Sequence, residues 1–245
     1  MIAARKALLR AGLLICPALC LSFAAEPLND PDAIIRKLRH TIEQQKTELC
    51  NYSVTRTYIL SNKHLSRDAK MFFLVTYDKA TGKNFKLLSE ENSNGFIRHN
   101  ILELIDGEIA SGNKDSDKAE FDDQNYHFLL SGQERVNGRL CYKIGLKPRI
   151  KNKYLLDGFV WVDANQFSVV KLTGQPAKNV SFWVSHSDFE QYFAPVHSFW
   201  LPSYNHSSAH ITFFGEVSLT IEYSPYEAQA CSNEPATTAN AFQDR

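Results

Sequence analysis

Alternation of apolar and polar residues with a period of two is the strongest constraint on this fold, and it runs through most of the chain beyond residue 50. The clearest case is Val217–Tyr223, where apolar residues alternate with Ser218, Thr220 and Glu222. This pattern is typical of β-strands with one apolar face. Asn137-Gly138, which separates two such segments, is the strongest short signal for a β-hairpin. The chain therefore predicts a series of antiparallel strands joined by tight turns.

The number of alternating segments predicts the shape of the sheet. We count about 9 to 11 strands, more than one twisted sheet accommodates without curling or splitting. Consecutive hairpins favour a single curved sheet. The predicted fold class is α+β, mostly antiparallel β, with one strongly curved sheet.

Two segments show helical rather than strand periodicity. The first, Pro31–Glu48, follows Asp30, which is a good N-cap, and Pro31 suits the first helical position. The second, Phe96–Ile109, places Ile97, Ile101 and Ile105 on one stripe. Each helix is amphipathic, so each needs an apolar surface to cover. We expect both helices to cover the concave face of the sheet, with an apolar cavity between helices and sheet.

The N-terminal segment has the pattern of a cleavable secretory signal. Arg5, Lys6 and Arg10 precede an apolar run that is shorter than the roughly 20 residues needed to span a bilayer, and small residues follow it. We therefore expect a signal peptide over 1–24, one folded domain over 25–228 and a disordered tail over 229–245. The mature protein would be exported and soluble.

Charge and cysteine content restrict the possible partners. The chain has 27 Lys and Arg residues and 27 Asp and Glu residues, so the formal net charge is zero and nothing points to nucleic acid. Three cysteines remain after the signal: Cys50, Cys141 and Cys231. In an oxidising compartment they allow one internal bridge and leave one thiol free, and the sequence does not say which pair forms.

Catalytic and metal-binding patterns are weak. His206 and His210 are four residues apart, but on a strand this separates them by roughly 13 Å, too far for one metal ion. Asp157 and Asp163 flank a strand and suit turns better than a carboxylate pair. A serine-nucleophile elbow and a phosphate-binding glycine loop are both missing from the sequence. We predict no enzyme, no catalytic residue, no metal and no cofactor.

Several segments resemble the lipoprotein-carrier-like (LolA/LolB-like) proteins of the bacterial periplasm. The hairpin Tyr154–Asp163 followed by Phe167–Leu172 carries the family's Gly-x-Val-Trp-Val-Asp pattern, and Ser198–Pro202 resembles its Trp-Leu-Pro strand. The resemblance spans roughly residues 30 to 226. It implies an open barrel with a helical lid that binds acyl chains or another hydrophobic ligand, without catalysis.

The resemblance also implies an inward-facing arginine that hydrogen-bonds to the lid and keeps an empty cavity closed. Arg56 fits this role by pattern, because it interrupts the apolar face formed by Val54 and Tyr58. A buried guanidinium needs a partner. The alternative, which we favour from the sequence, is an arginine at the sheet edge that extends to water.

These arguments give a predicted function and a set of binding residues. The predicted function is that of a soluble periplasmic carrier for lipid or for the acyl chains of lipoproteins. One alternative is an envelope module that senses a ligand or binds a protein partner. A less favoured alternative is an exported enzyme. We expect a monomer with a possible envelope protein partner. The predicted hydrophobic ligand site consists of Val54, Arg56, Tyr58, Phe73, Val75, Ile101, Ile105, Phe159, Trp161, Leu219 and Ile221.

One strand of this set is apolar on both faces. Phe159 and Trp161 should share one face, and Val160 and Val162 the other. Antiparallel strands with one wet face normally alternate apolar and polar residues, so this strand should be covered on both sides.

Overall fold

A computed structural model describes residues 29–114, 120–178, 184–212 and 215–231. The predicted signal peptide and residues 232–245 of the predicted tail lie outside the described residues. The secondary-structure elements are α1 (Pro31–Glu48), β1 (Leu49–Asn62), β2 (Ala69–Asp78), β3 (Gly82–Glu91), α2 (Gly95–Lys114), β4 (Tyr126–Val136), β5 (Arg139–Pro148), β6 (Leu156–Asp163), β7 (Val169–Pro176), β8 (Val184–Val196), β9 (Phe199–Ile211), β10 (Gly215–Tyr223) and β11 (Glu227–Ala230).

The strands form one antiparallel sheet in the order β3-β2-β1-β10-β9-β8-β7-β6-β5-β4, and β11 pairs with β1 beyond the end of β10. The two end strands, β3 and β4, are not paired with each other in the described part of the chain. Within the described residues the sheet is therefore an unclosed barrel of eleven strands, accompanied by two helices. This confirms the predicted fold class.

Strand register shows that both helices cover the same face of the sheet. Residues directly opposite each other in neighbouring strands lie on one face. A continuous row of such pairs joins Met71, Tyr58, Ile221, Asn205, Gln191, Leu172, Val160 and Ile144. One end of the row packs with α2 and the other with α1. We call this face the inner face and the opposite one the outer face.

Helix α1 begins as the sequence predicts. The carboxylate of Asp30 accepts a hydrogen bond from the backbone N–H of Asp32 at 3.0 Å, and Pro31 occupies the first turn. Ile34, Ile35 and Leu38 are buried on the inner face of β4 to β7. This cluster, which includes Ile144, Leu146, Val160 and Val162, forms one half of the core.

The C-terminal end of the domain differs from the prediction. We placed the domain boundary after residue 228, but strand β11 continues to Ala230 and Cys231 forms a disulfide with Cys50. Residues 229–231 therefore belong to the folded domain and not to a tail. The disulfide also resolves the cysteine pairing, because Cys141 is free and buried.

Two glycines allow β6 and β7 to approach closely. Gly158 and Gly174 face each other in the strand register. A Cβ atom on Gly158 would lie 2.0 Å from the carbonyl oxygen of Thr173, and one on Gly174 would lie 2.4 Å from that of Asp157. Neither position has room for a side chain unless the backbone moves.

We expect Gly158→Ala to destabilise the fold by about 1–3 kcal/mol, because the new methyl group overlaps a backbone carbonyl. Gly107→Ala in α2 is the matched control, since nothing lies within 4 Å of its Cβ position. Alanine there should be neutral or stabilising by up to about 1 kcal/mol. Urea unfolding of both variants measures the difference, and equal midpoints would contradict the close approach.

Candidate functional site

The larger apolar cluster lies between α2 and the inner face of β1, β2 and β10. We call it the α2 cluster. Its buried members are Tyr52, Val54, Tyr58, Ala69, Met71, Phe73, Val75, Ile97, Ile101 and Ile105. Leu219 and Ile221 are partly buried and pack against it. Most of the residues that we predicted as ligand-binding thus lie together in one place.

Side chains of α2 cover the sheet directly in this arrangement. Ile97, Ile101 and Ile105 are each less than 5% exposed, and Phe73 and Val75 beneath them are equally inaccessible. The apolar space predicted between helix and sheet is therefore occupied by α2 itself. A ligand could reach the sheet residues only after α2 has moved.

Arg56 lies at the centre of this surface and points inward. Its side chain is 3% exposed, and Nη1 donates to both carboxylate oxygens of Glu108 in α2, at 2.9 and 3.1 Å. The expectation that Arg56 extends to water at the sheet edge is wrong. Strand β1 is an interior strand, paired with β2 on one side and β10 on the other, so Arg56 does not lie at a sheet edge.

The ion pair has further polar and aromatic neighbours. Lys83 of β3 donates to Glu108 at 2.7 Å. The rings of Phe85 and Tyr223 lie 5.3 and 5.0 Å from the guanidinium carbon of Arg56, within the range of a cation–π contact. The Nε atom of Arg56 is buried without a hydrogen-bond partner. The guanidinium is therefore desolvated, and Glu108 is its main compensation.

Titration behaviour follows from this burial. Burial opposes charge on Arg56, but the Glu108 carboxylate, with smaller contributions from Tyr223 and Tyr58, holds the pKa of Arg56 above its usual value. Burial likewise opposes charge on Glu108, yet Lys83 and Arg56 together lower its pKa. Both groups are therefore charged at neutral pH. Burial raises the pKa of Tyr223, which stays protonated beside them.

A buried amide pair separates the α2 cluster from the α1 side of the inner face. Asn205 of β9 donates to the side-chain oxygen of Gln191 in β8 at 3.1 Å, and Gln191 donates to the carbonyl of Tyr204 at 2.8 Å. Both amides are less than 9% exposed. The inner face is thus two apolar regions divided by a satisfied polar strip.

Phe159 and Trp161 do not belong to this site. They lie together on the outer face of β6, with ring centroids 6.0 Å apart, while Val160 and Val162 face α1. The predicted pairing of faces is correct, but Phe159 and Trp161 lie on the face opposite the other residues of the predicted ligand site. Both faces of β6 are apolar, so its own sequence could not indicate which face is inward.

Sequence reasoning missed Glu108 and Lys83. Glu108 lies seven residues after Ile101 and three after Ile105, so it interrupts the apolar stripe of α2 as Arg56 interrupts that of β1. Two opposite charges, each within an apolar face, are a signal that could have identified the pair. Lys83 stands in an edge strand and has no such signal.

The described residues show neither a cluster of metal ligands nor a helix that could span a membrane. They contain no group of three or more His, Cys, Asp or Glu side chains arranged to hold a metal ion. His206 and His210 each contact a different partner, Thr220 and Glu216. Within the same residues, no helix combines the length and the apolar character that crossing a bilayer requires.

Comparison with known proteins gives partial matches. Residues 123–226 match a family of unknown function, DUF5686. No curated protein matches the sequence.

Solved structures of low sequence identity also match. One is a putative outer membrane lipoprotein-sorting protein domain from Vibrio parahaemolyticus, with 11% identity, 82% of this chain and 94% of that chain covered, and a TM-score of 0.42. Another is a LolA superfamily protein from Nitrosomonas europaea, with 11% identity, the same coverage and a TM-score of 0.38. Proteins of the class that the sequence resembles are thus among the matches.

Proposed function

We propose that the protein is an exported, periplasmic binding protein for an apolar ligand such as an acyl chain, and that α2 is the lid of its site. The observation that carries this proposal is the ion pair between Arg56 and Glu108. This pair joins the lid to the apolar surface of the sheet through a guanidinium that is 3% exposed and a carboxylate that is 32% exposed. The rest of the interface between α2 and β1 to β2 is apolar, and an acyl chain can replace it.

Closure and opening of the lid have a clear physical basis. When α2 covers the sheet, Ile97, Ile101 and Ile105 bury the same sheet residues that a ligand would bury. Ligand and lid therefore compete for one surface, and the apparent affinity depends on how often the lid is open. Arg56 favours the closed state because opening removes Glu108 from a guanidinium that has few other partners.

The site residues indicate the kind of ligand. Val54, Phe73, Val75, Leu219 and Ile221 offer aliphatic and aromatic surface without a charged group, which suits a hydrocarbon chain. Arg56 would then be freed from Glu108 and become available to an anionic head group, such as a carboxylate or phosphate. We propose no catalytic role for any of these residues.

The test is binding of an environment-sensitive neutral dye, N-phenylnaphthylamine, with palmitate as competitor. Glu108→Gln should lower the dissociation constant of the dye by about tenfold at neutral pH, because the neutral amide holds the lid less firmly. Glu103→Gln is the matched control: it lies on the exposed side of α2 and makes the same change of charge. The control should bind dye as the wild type does.

Acidic pH should open the lid in the same way. The pKa of Glu108 is lowered in the closed protein, so the ion pair stabilises closure fully above the ordinary glutamate pKa of about 4.5, and this stabilisation is lost as the pH falls from there through the lowered pKa. Arg56 and Lys83 face Glu108 from β1 and β3, and Arg56 remains charged throughout that range. Dye binding should therefore rise below about pH 4.5 in the wild type and stay flat in Glu108→Gln.

Two results would contradict the proposal. If the dye binds neither variant, or if palmitate does not displace it, the apolar surface of the sheet is part of the protein core and not a ligand-binding site. Equal affinities of Glu108→Gln and Glu103→Gln would show that the ion pair does not control access. Native mass spectrometry of protein taken from its own periplasm would identify the bound lipid.

A further inference from the structure

A cavity lies on the outer face of the sheet, away from α2. Its volume is about 720 Å³, and it is an open groove over β6, β7, β8 and β9, with residues of the β5 end on one side. We call it the outer groove. The α2 cluster contributes none of its lining residues.

Two rows of side chains line this groove. In the first, Phe159, Thr173, Glu190 and His206 are register partners across four strands. In the second, Asp157 pairs with Gln175, whose side-chain amide donates to Asp188 at 3.0 Å. Adjacent strands are about 4.8 Å apart, so the first row is about 14 Å long, and the rows are about 7 Å apart.

The charged groups of the groove already have partners within the protein. Lys147 lies 2.6 Å from Asp157. Lys171 lies 2.5 Å from Glu190, which also accepts a hydrogen bond from the hydroxyl of Tyr192 at 3.0 Å. An ionic ligand would have to displace one of these partners. A neutral ligand with hydroxyl groups would not, because a hydroxyl both donates to a spare carboxylate lone pair and accepts from an ammonium or amide group.

An aromatic ring forms one wall of the groove. Phe159 is 37% exposed, and it lies beside Gly145 of β5, where a Cβ atom would come 3.7 Å from the ring. The ammonium of Lys143 lies over one face of the ring, 4.9 Å from its centroid, and the Trp161 ring lies beside it, so a ligand would contact the opposite face. The ring therefore presents a partly exposed apolar surface next to the polar side chains of the groove.

We propose that the outer groove is a second binding site and that its ligand is a neutral oligosaccharide of two or three rings. A sugar ring has one face of C–H groups and a rim of hydroxyls, which matches an exposed aromatic ring bordered by carboxylates and an amide. A groove about 14 Å long accommodates two to three linked rings. This site is independent of the proposed function, because the two ligands differ and bind opposite faces of the sheet.

The experiment uses the domain with its disulfide intact and a panel of cellotriose, maltotriose and triacetylchitotriose. Saturation-transfer NMR detects contact with each sugar, and titration calorimetry gives the dissociation constant. We expect at least one trisaccharide to bind, and Phe159→Ala to weaken it by about tenfold or more. Phe96→Ala, which removes a ring that is 62% exposed in α2, is the matched control and should bind within about twofold of the wild type.

A second variant covers the case in which Phe159→Ala does not fold. Thr173→Val removes the hydroxyl at the centre of the first row with little change of volume, and it should weaken the same trisaccharide several-fold. The proposal is overturned if no member of the panel binds at about 10 mM, or if Phe159→Ala and Phe96→Ala bind alike. Tighter binding of spermidine or inorganic phosphate than of any sugar would overturn it as well, since the groove would then select charge.

Discussion

Trp161→Ala should lower the free energy of unfolding by about 3–5 kcal/mol and leave apolar ligand binding unchanged in the folded protein. Trp161 is 5% exposed although it lies on the outer face. It packs with Val136, Cys141 and Val170, and its indole N–H donates to the carboxylate of Glu134. Removing the ring would leave a cavity, and the Glu134 carboxylate would lose the hydrogen bond from the indole N–H.

The surroundings of Trp161 explain why an outer-face residue has a core-like effect. The ammonium groups of Lys143 in β5 and Lys171 in β7 lie 5.0 and 5.2 Å from the Trp161 ring. Tyr192 packs against the cluster that Trp161 forms with Val136, Cys141 and Val170. The strand is therefore covered on both sides, as its doubly apolar sequence indicates. The cover on the outer side consists of aromatic rings and the aliphatic stems of lysines.

Urea unfolding and dye affinity, measured on the same samples, separate stability from binding. Phe159→Ala is the matched control, because Phe159 stands two residues away on the same face but is 37% exposed. Its loss of stability should be much smaller. A Trp161→Ala protein that unfolds at the wild-type midpoint, or that is stable but no longer binds the dye, would show that the ring is not structural.

The sheet could be predicted from sequence because its determinants are local. Alternation with period two and the Asn137-Gly138 turn lie within single hairpins, and each hairpin places the next strand beside the last. Strand β11 was missed for the opposite reason. It is four residues long and includes two alanines, and its position depends on pairing with β1 and on Cys50, which lies 181 residues from Cys231.

The candidate site was only partly predictable for a related reason. The pattern placed Arg56 on the apolar face of β1, but its partner Glu108 is 52 residues away, and their meeting depends on how α2 docks. The position of Phe159 and Trp161 depends on register accumulated across the whole sheet. A shift of one residue in any strand would exchange the two faces, and β6 carries apolar residues on both.

Removing the disulfide should have the other large effect on stability. Cys50→Ala combined with Cys231→Ala should lower the free energy of unfolding by about 2–5 kcal/mol, because the bridge closes a loop of 181 residues and restricts the unfolded chain. The bridge also holds β11 against β1 at the point where Tyr226 and Ala228 pack on the α2 cluster. The variant should therefore also lose protection of the β11 amides in hydrogen exchange.

Reduction provides the matched control for this variant. Dithiothreitol should lower the urea midpoint of the wild type to that of the double variant and leave the double variant unchanged. Burial raises the pKa of the Cys141 thiol to about 11, so this third cysteine stays protonated and does not exchange with the reductant or with the bridge. A wild type that keeps its midpoint in reductant while the double variant is destabilised would show that the alanines, and not the loss of the bridge, caused the effect.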